Sequence, residues 1–381
     1  MTDQGGANEA AIDRASDESA SPSSMAHHTH AIFPDWGSSS DFDDSGLEEL
    51  VTEYATSHPN HSTSSISEPD DDWRSLTSSI AQHSFENGRS KSLTSLARRY
   101  HQYRDSQPYP WPNDELDTAR EEELHELFKE LMGGRHFIAP IVEGPQRILD
   151  LGCGNGRWAS EVAELFPGAE VVAMDISPIQ PVFAPPNLTL RLADIETDWV
   201  GHMQSDLVHL ERVAPYLRQP KELLAKILTN LRPGGWVELE DIQTEVFSDD
   251  ATIPPENGCA YAAMLFNKSQ REKFGFDLDT AWNMAEALRD AGFVNVRQVM
   301  YKTPIGPWPD HPRGKWVGYL LQSALRQVME PLSLRPLQAL GLSPSDISAV
   351  VHDFERDMSD TSLHLWMPMT ITIGQKPPAT T

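Results

Sequence analysis

The apolar positions along the chain fall into three regimes. Residues 1 to about 95 show no sustained period. Runs such as "SDESASPSS", "SDFDDSG" and "STSSISEPDDD" cannot bury enough apolar surface to offset the entropy of ordering them, so a disordered tail is expected. Two islands interrupt it, "AIFPDW" (Ala31 to Trp36) and "LEELVTEYA" (Leu47 to Ala55), readable as segments that fold on a partner or as residual hydrophobicity. In "PNDELDTAREEELHELFKELMGG", Leu124, Leu127, Phe128 and Leu131 recur at i, i+3, i+4, i+7. That spacing predicts an amphipathic helix capped by Asn113 or Asp114 and stopped at Gly133-Gly134.

The second regime alternates short apolar strands with helices. Strands are expected at Arg147 to Leu151, at Glu170 to Met174, in "LTLRLADIE" and in "DLVHLE". A helix from Lys221 to Leu231, a turn at Arg232-Pro233-Gly234-Gly235 and the strand "WVELED" follow. This order implies right-handed crossovers and a mainly parallel sheet covered on both faces. The third regime, from Glu256, reads mostly as helices: Asn257 to Lys273, Thr280 to Ala291, Arg313 to Met329, and one capped by Ser343 running to about Asp357. Two strands among them, "FVNVRQVMY" and "SLHLWMPMTITIG", are expected to pair antiparallel at the sheet's edge.

Charge narrows the classes. The net charge is −27, and the first ninety residues hold 17 acidic residues against three Arg, about half of it. Such a chain repels phosphate backbones and anionic lipid, so direct nucleic-acid binding is not expected; the dense basic stretch, Arg89 to Arg104, reads as a flank of the acidic tail. The two cysteines, Cys153 and Cys259, fit a reducing compartment without a structural disulfide. With no apolar run near 18 residues and no secretory signal, a soluble protein of the cytoplasm or nucleus is expected, away from membranes.

The chemistry concentrates in "RILDLGCGNGRWASEVAELFPGAEVVAMDIS", a strand, glycine loop, helix and strand ending on an acid. A dinucleotide loop needs G-x-G-x-x-G. Here Gly152, Gly154 and Gly156 follow one another at every second position, and Arg157 stands where the third glycine belongs. Asp150 just before the loop would repel a pyrophosphate but favour an ammonium or sulfonium. Both features weigh towards S-adenosylmethionine and against a nicotinamide dinucleotide. Asp175, 23 positions after Gly152, can accept both ribose hydroxyls. Asp194 can accept the adenine amino group, with Ile176 and Ile195 as apolar plates, or can simply cap its loop.

These residues resemble a known family. "ILDLGCGNGRWA" is similar to the first motif of class I S-adenosylmethionine-dependent methyltransferases, and "LRPGGWVELED" to their turn into the fifth strand. The upstream "PNDELDTAREEELHELF", "AMDISPIQPVFAPPN" and the terminal "LHLWMPMTITIGQKP" narrow the resemblance to the fungal LaeA-like methyltransferases, over roughly Tyr100 to Pro377. The resemblance implies a Rossmann-like α/β fold: a seven-stranded sheet, mostly parallel with the last strand antiparallel, under a helical lid. It divides the chain into a tail (1–95) and a methyltransferase domain (96–381), with cap helices at 96–145, a cofactor core at 146–247 and lid and last strands at 248–381. Carried over by position, Asp150, Gly152, Gly154, Gly156, Asp175 and Asp194 become cofactor residues, joined by Ile176 and Ile195. Family members often place an Arg soon after a His on the fourth strand; in "DLVHLERV" Glu211 follows His209 instead, and Arg212 comes one position later.

The resemblance implies one of two roles: an enzyme of a secondary-metabolite pathway with a small-molecule acceptor, or a nuclear regulator of secondary metabolism acting with velvet-type partners or on protein. Methyl transfer from a sulfonium needs a base only if the acceptor must lose a proton. Candidates at the strand ends are His209, Glu240 and Asp241, each readable also as a structural polar group. Trp282, Trp308, Trp316, Tyr319 and Trp366 could shape an acceptor pocket or be plain core. His311 reads as a loop residue. No grouping has convincing metal-ligand spacing, and no metal is expected.

Overall fold

The structure is a computed structural model that describes residues 83–86, 98–101 and 115–379, except 178, 180–183, 198–202, 249–252 and 254–255. Nearly all of the expected tail, including both apolar islands, lies outside the described residues, as does most of "SPIQP". Strand β1 (His83–Glu86) pairs antiparallel with β2 (Arg98–His101), so the boundary expected at 95/96 falls in the connection between two paired strands.

After α1 (Glu115–Leu131), ended by Gly133 and Gly134 at positive φ, strands and helices alternate. They are β3 (Arg147–Leu151), α2 (Arg157–Leu165), β4 (Glu170–Asp175), β5 (Leu188–Leu192), β6 (Ser205–Glu211), α3 (Pro220–Asn230) and β7 (Leu231–Ile242). β3, β4 and β6 are buried almost throughout, as strands covered on both faces must be. Alternation assigns the helices. Ile148, Val171 and Leu207 pack with Trp158 and Val162 of α2. Their neighbours Leu149, Val172 and Val208 point the other way, onto Leu223, Leu224 and Ile227 of α3. The expected turn at Arg232 to Gly235 lies inside β7 as an irregularity: Ser205 pairs with Leu231, but Leu207 pairs with Trp236. The intervening residues bulge out of the ladder.

The remaining elements are β8 (Phe247–Ser248), α4 (Gly258–Ser269), α5 (Met284–Asp290), β9 (Val294–Pro304), α6 (Pro312–Leu334), α7 (Pro336–Ala339), α8 (Pro344–Met358) and β10 (Leu365–Gln375). Strand order is β5-β4-β3-β6-β7-β10-β8, with β9 also pairing β10. The first five run parallel; β10 is antiparallel to β7, β8 and β9. The expected Rossmann-like sheet and its antiparallel edge pair are therefore present, with the two-residue β8 as an addition. Trp316 and Leu320 are buried core residues with α1, α4 and α8, and Trp316 stacks on Tyr319. His311 caps α6, its ring accepting the Arg313 N–H. α8 opens on a capping box in which Ser343 and Asp346 satisfy each other's backbone N–H. Ser343→Ala is expected to lower stability by about 1 kcal/mol, read as a shifted midpoint in denaturant unfolding.

Candidate active site

The carboxyl ends of the parallel strands meet at the glycine loop. Gly152 lies at φ +79° and a Cβ there would come within 2.5 Å of Val213, so any side chain would push the loop off the chain that follows β6. Gly154 (φ +54°) differs: a Cβ would meet nothing within 4 Å. Its N–H donates to Asp175 Oδ2 at 2.9 Å, while Ser177 N–H donates to Oδ1 at 2.8 Å. Burial pushes the Asp175 carboxyl up, to about 6, against those two N–H bonds. Gly156, at φ +76°, begins α2 and lines neither cavity described below, so its part is to make the turn.

Behind the loop sits a buried polar stack. Asp150 and His209 are neighbours in parallel register, and the Asp150 Oδ1 to His209 Nδ1 distance is 2.9 Å. The other ring nitrogen faces Glu240 Oε1 at 3.4 Å, and Trp158 lies flat on the imidazole at 3.7 Å between ring centroids. Burial opposes a charge on His209, but the two carboxylates outweigh it and push the imidazole up to about 10. His209 is an imidazolium tie with both nitrogens engaged. One ligand atom each of His209, Glu211 and Glu240 lies within 4.8 Å of the others; here the His209 nitrogens face Asp150 and Glu240, and Glu211 pairs with His125 and Arg212. Asp150 Oδ2 is buried without a hydrogen-bond partner among the described residues, and Asp150 borders a recess of about 30 Å³ together with Gly152, Gly154 and His125.

A larger cavity of about 370 Å³ continues from the loop. Its first part holds Gly152, Gly154, Asp175, Ile176, Asp194 and Ile195, which the chain brings together from three strand ends. Asp194 is buried, and its Oδ1 also caps the Glu196 N–H at 2.9 Å. Its floor carries Asp117, Arg120 and Glu121 from α1, with Glu211, Arg212 and Asp241. Arg212 bridges Glu121 (2.5 Å) and Glu211 (3.0 Å). Burial resists ionisation of Glu211, yet Arg212 and His125 hold it down at about 2. Of the three candidate bases, Asp241 lines this cavity, whereas His209 borders only the small recess and Glu240 neither.

The far part of the cavity is apolar, built by Phe266, Phe276, Leu321, Val328, Phe354 and Met367. None of Trp282, Trp308, Trp316, Tyr319 or Trp366 lines it. The polar face of α1 and these phenylalanines are the site residues that sequence reading missed. Only the spacing of Glu121 with Leu124, which places an acid beside the helix's apolar stripe, could have signalled the former.

A methyltransferase-domain family matches residues 124–298. The chain is 30% identical to "Methyltransferase pytC" of Aspergillus terreus over 306 residues, 80% of this chain and 91% of that one. It is 29% identical to "Secondary metabolism regulator laeA" of Aspergillus fumigatus over 285 residues, 74% of this chain and 75% of that one. A solved SAM-dependent methyltransferase from Archaeoglobus fulgidus aligns at 15% identity and a TM-score of 0.40, covering 69% of this chain and 100% of that one.

Proposed function

The chain belongs to the fungal LaeA-like family of class I S-adenosylmethionine-dependent methyltransferases, and we propose that it methylates a small, largely apolar acceptor in a natural-product pathway. The observation that carries this reading is the continuity of the cavity, which begins at the glycine loop and ends among apolar side chains of the helical cap. Drug-sized ligands are held in such mostly apolar clefts with a few convergent polar groups.

The residues fit S-adenosylmethionine. Open space lies over Gly154, and the buried Asp150 Oδ2 has its acceptor capacity unused. When bound, the cofactor supplies an electrophilic methyl group whose departure leaves a neutral thioether. We assign its amino-acid end to Asp150, Gly152 and Gly154, and its ribose to Asp175. Each Asp175 oxygen keeps a second lone pair beyond its backbone N–H bond. The adenine goes between Ile176 and Ile195 with Asp194 at its edge, and Gly156 holds the loop's turn. Much of the rate then comes from placement of the acceptor, worth about 7–11 kcal/mol where the geometry is well aligned.

No helix among the described residues is long and apolar enough to cross a membrane. We place the protein's work in the cytoplasm or nucleus. The test is incubation of the full chain with methyl-labelled S-adenosylmethionine, a fungal small-molecule extract and cell protein. Label is expected in the small-molecule fraction. Label confined to protein would replace this reading with the regulatory one, in which velvet-type partners or protein substrates take the acceptor's place and removal of residues 1–95 abolishes the role.

A further inference from the structure

Asp241 Oδ1 and Arg212 Nε are among the buried polar atoms of the cavity floor that have no hydrogen-bond partner among the described residues, and the two are of opposite kind. Asp241, 2% exposed at the end of β7, accepts the Ala214 N–H, but its Oδ1 is unmatched. Arg212 follows β6 and commits a terminal nitrogen to Glu121 and Glu211, while its Nε–H, also buried, is an unmatched donor. Both residues line the cavity that runs from the glycine loop to the apolar lobe. Arg212 occupies a left-handed backbone conformation (φ +56°), held by its N–H to Glu240 O at 2.6 Å. Such a conformation in a residue with a long side chain costs about 1–3 kcal/mol and persists where the surroundings impose it, commonly at functional sites. This is also the point where the chain departs from the family's His-then-Arg pattern.

An acceptor and a donor lining one cavity call for a group that both donates and accepts. A hydroxyl does so. A neutral amine has one lone pair, which must face the methyl carbon and leaves none for Arg212, whereas a hydroxyl oxygen has two; a methyl-accepting carbon offers Arg212 nothing, and a carboxylate would be repelled by Asp241, Glu211 and Glu121. We propose that Asp241 and Arg212 form the acceptor-hydroxyl site: Asp241 takes the proton of a weakly acidic hydroxyl, a phenol or enol on an apolar body, and Arg212 steadies the oxygen as it becomes anionic. This rests on the small-molecule reading above. The O–H bond breaks and its proton passes to Asp241 Oδ1. The freed oxygen pair forms the bond to the methyl carbon as the carbon–sulfur bond breaks, and that pair remains on sulfur. The products are a methyl ether, S-adenosylhomocysteine and a protonated Asp241 that returns its proton to solvent.

The groups around Asp241 suit the task. Burial pushes its carboxyl up, to about 7, aided by Glu240 and Glu211 and opposed by the Ala214 N–H and Arg212. Thr370 stands opposite on β10, and Asp117, Arg120 and Glu121 of α1 line the same cavity. A base of that strength can take a phenolic or enolic proton, whereas an alkyl alcohol is far too weakly acidic.

The test uses the full chain, ¹³C-methyl S-adenosylmethionine and a fungal small-molecule extract, with the carbon shift of the labelled methyl reporting the atom it is bonded to. An O-methyl product is expected. On its purified precursor, Asp241→Asn should lower kcat by about 10²–10⁴-fold with KM little changed, and Arg212→Lys should lower it less. Calorimetric binding of S-adenosylhomocysteine should be unaltered in both, which also reports that they fold. Should Asp241→Asn fail to fold, the wild-type profile decides: kcat should fall on the acid side of an ionisation near 7. Label on nitrogen or carbon, an undiminished Asp241→Asn, or a flat profile would overturn the hydroxyl site and leave the methyltransferase reading standing. No labelled small molecule at all would overturn the small-molecule reading and this site with it.

Discussion

Gly154→Arg is expected to abolish cofactor binding while leaving the protein folded. The two glycines of the loop make this a sharp experiment because they are constrained for different reasons. At Gly152 a Cβ would collide with Val213 at 2.5 Å, so substitution there disturbs packing. At Gly154 a Cβ would meet nothing within 4 Å, and the residue borders both the small recess and the main cavity. An arginine at 154 therefore enters the space assigned to the cofactor and sets its charge beside Asp175, whose Oδ2 accepts the Gly154 N–H. The left-handed backbone at φ +54° adds about 1–2 kcal/mol of strain, tolerable for most domains. Titration calorimetry with S-adenosylhomocysteine should show affinity reduced at least ~100-fold, about 3 kcal/mol, with near-native circular dichroism. Native affinity in a folded Gly154→Arg would remove the loop from the cofactor site.

How much of this was legible in the sequence depended on how far apart in the chain the cooperating residues lie. The strand, loop, helix and strand from Arg147 to Ser177 are one local unit, and the chain brings Asp150, Gly154 and Asp175 to one place as their spacing implied. α1 was readable on its apolar side alone. Its other side, with Asp117, Arg120 and Glu121, looks in sequence like any solvated charge run, and only burial beneath the cap reveals it as cavity wall. The tie between Asp150 and His209 depends on the register of two parallel strands 59 positions apart, which no local pattern encodes. The acceptor lobe is the extreme case. Phe266 comes from α4, Phe276 from the loop after it and Phe354 from α8, and their meeting is decided by crossovers. Trp282, Trp308, Trp316 and Trp366 do not line that lobe.

That Asp150–His209–Glu240 tie yields the second large effect. His209→Ala should destabilise the protein by about 3–5 kcal/mol, because removing one partner strands buried charge rather than merely deleting a contact. His209 is 0% exposed, and Asp150 and Glu240 are 2% and 1% exposed. Burial already pushes both carboxyls upward, with His209 pulling them down. The alanine would also open a void beneath the stacked Trp158 ring, adding a packing loss. The measurable result is a drop on the order of 10 °C in thermal midpoint at neutral pH. A pH series separates the charge effect from the void. The folded imidazole titrates near 10 against about 6.5 in the unfolded chain. Its stabilisation is thus complete below about pH 6.5 and lost as pH rises towards 10, at about 1.4 kcal/mol per pH unit for one proton. His125 lies between Glu161 and Glu211; burial opposes its charge, but those carboxylates push it up to about 9, so it adds a second proton in the same window. The wild-type protein should accordingly lose stability steeply between pH 7 and 10, and His209→Ala should lose it less steeply, its remaining slope belonging to His125 and to buried carboxyls such as Glu238, which burial pushes up to about 8. A variant that is destabilised equally at every pH would show that His209 acts by filling space and not as the charged tie.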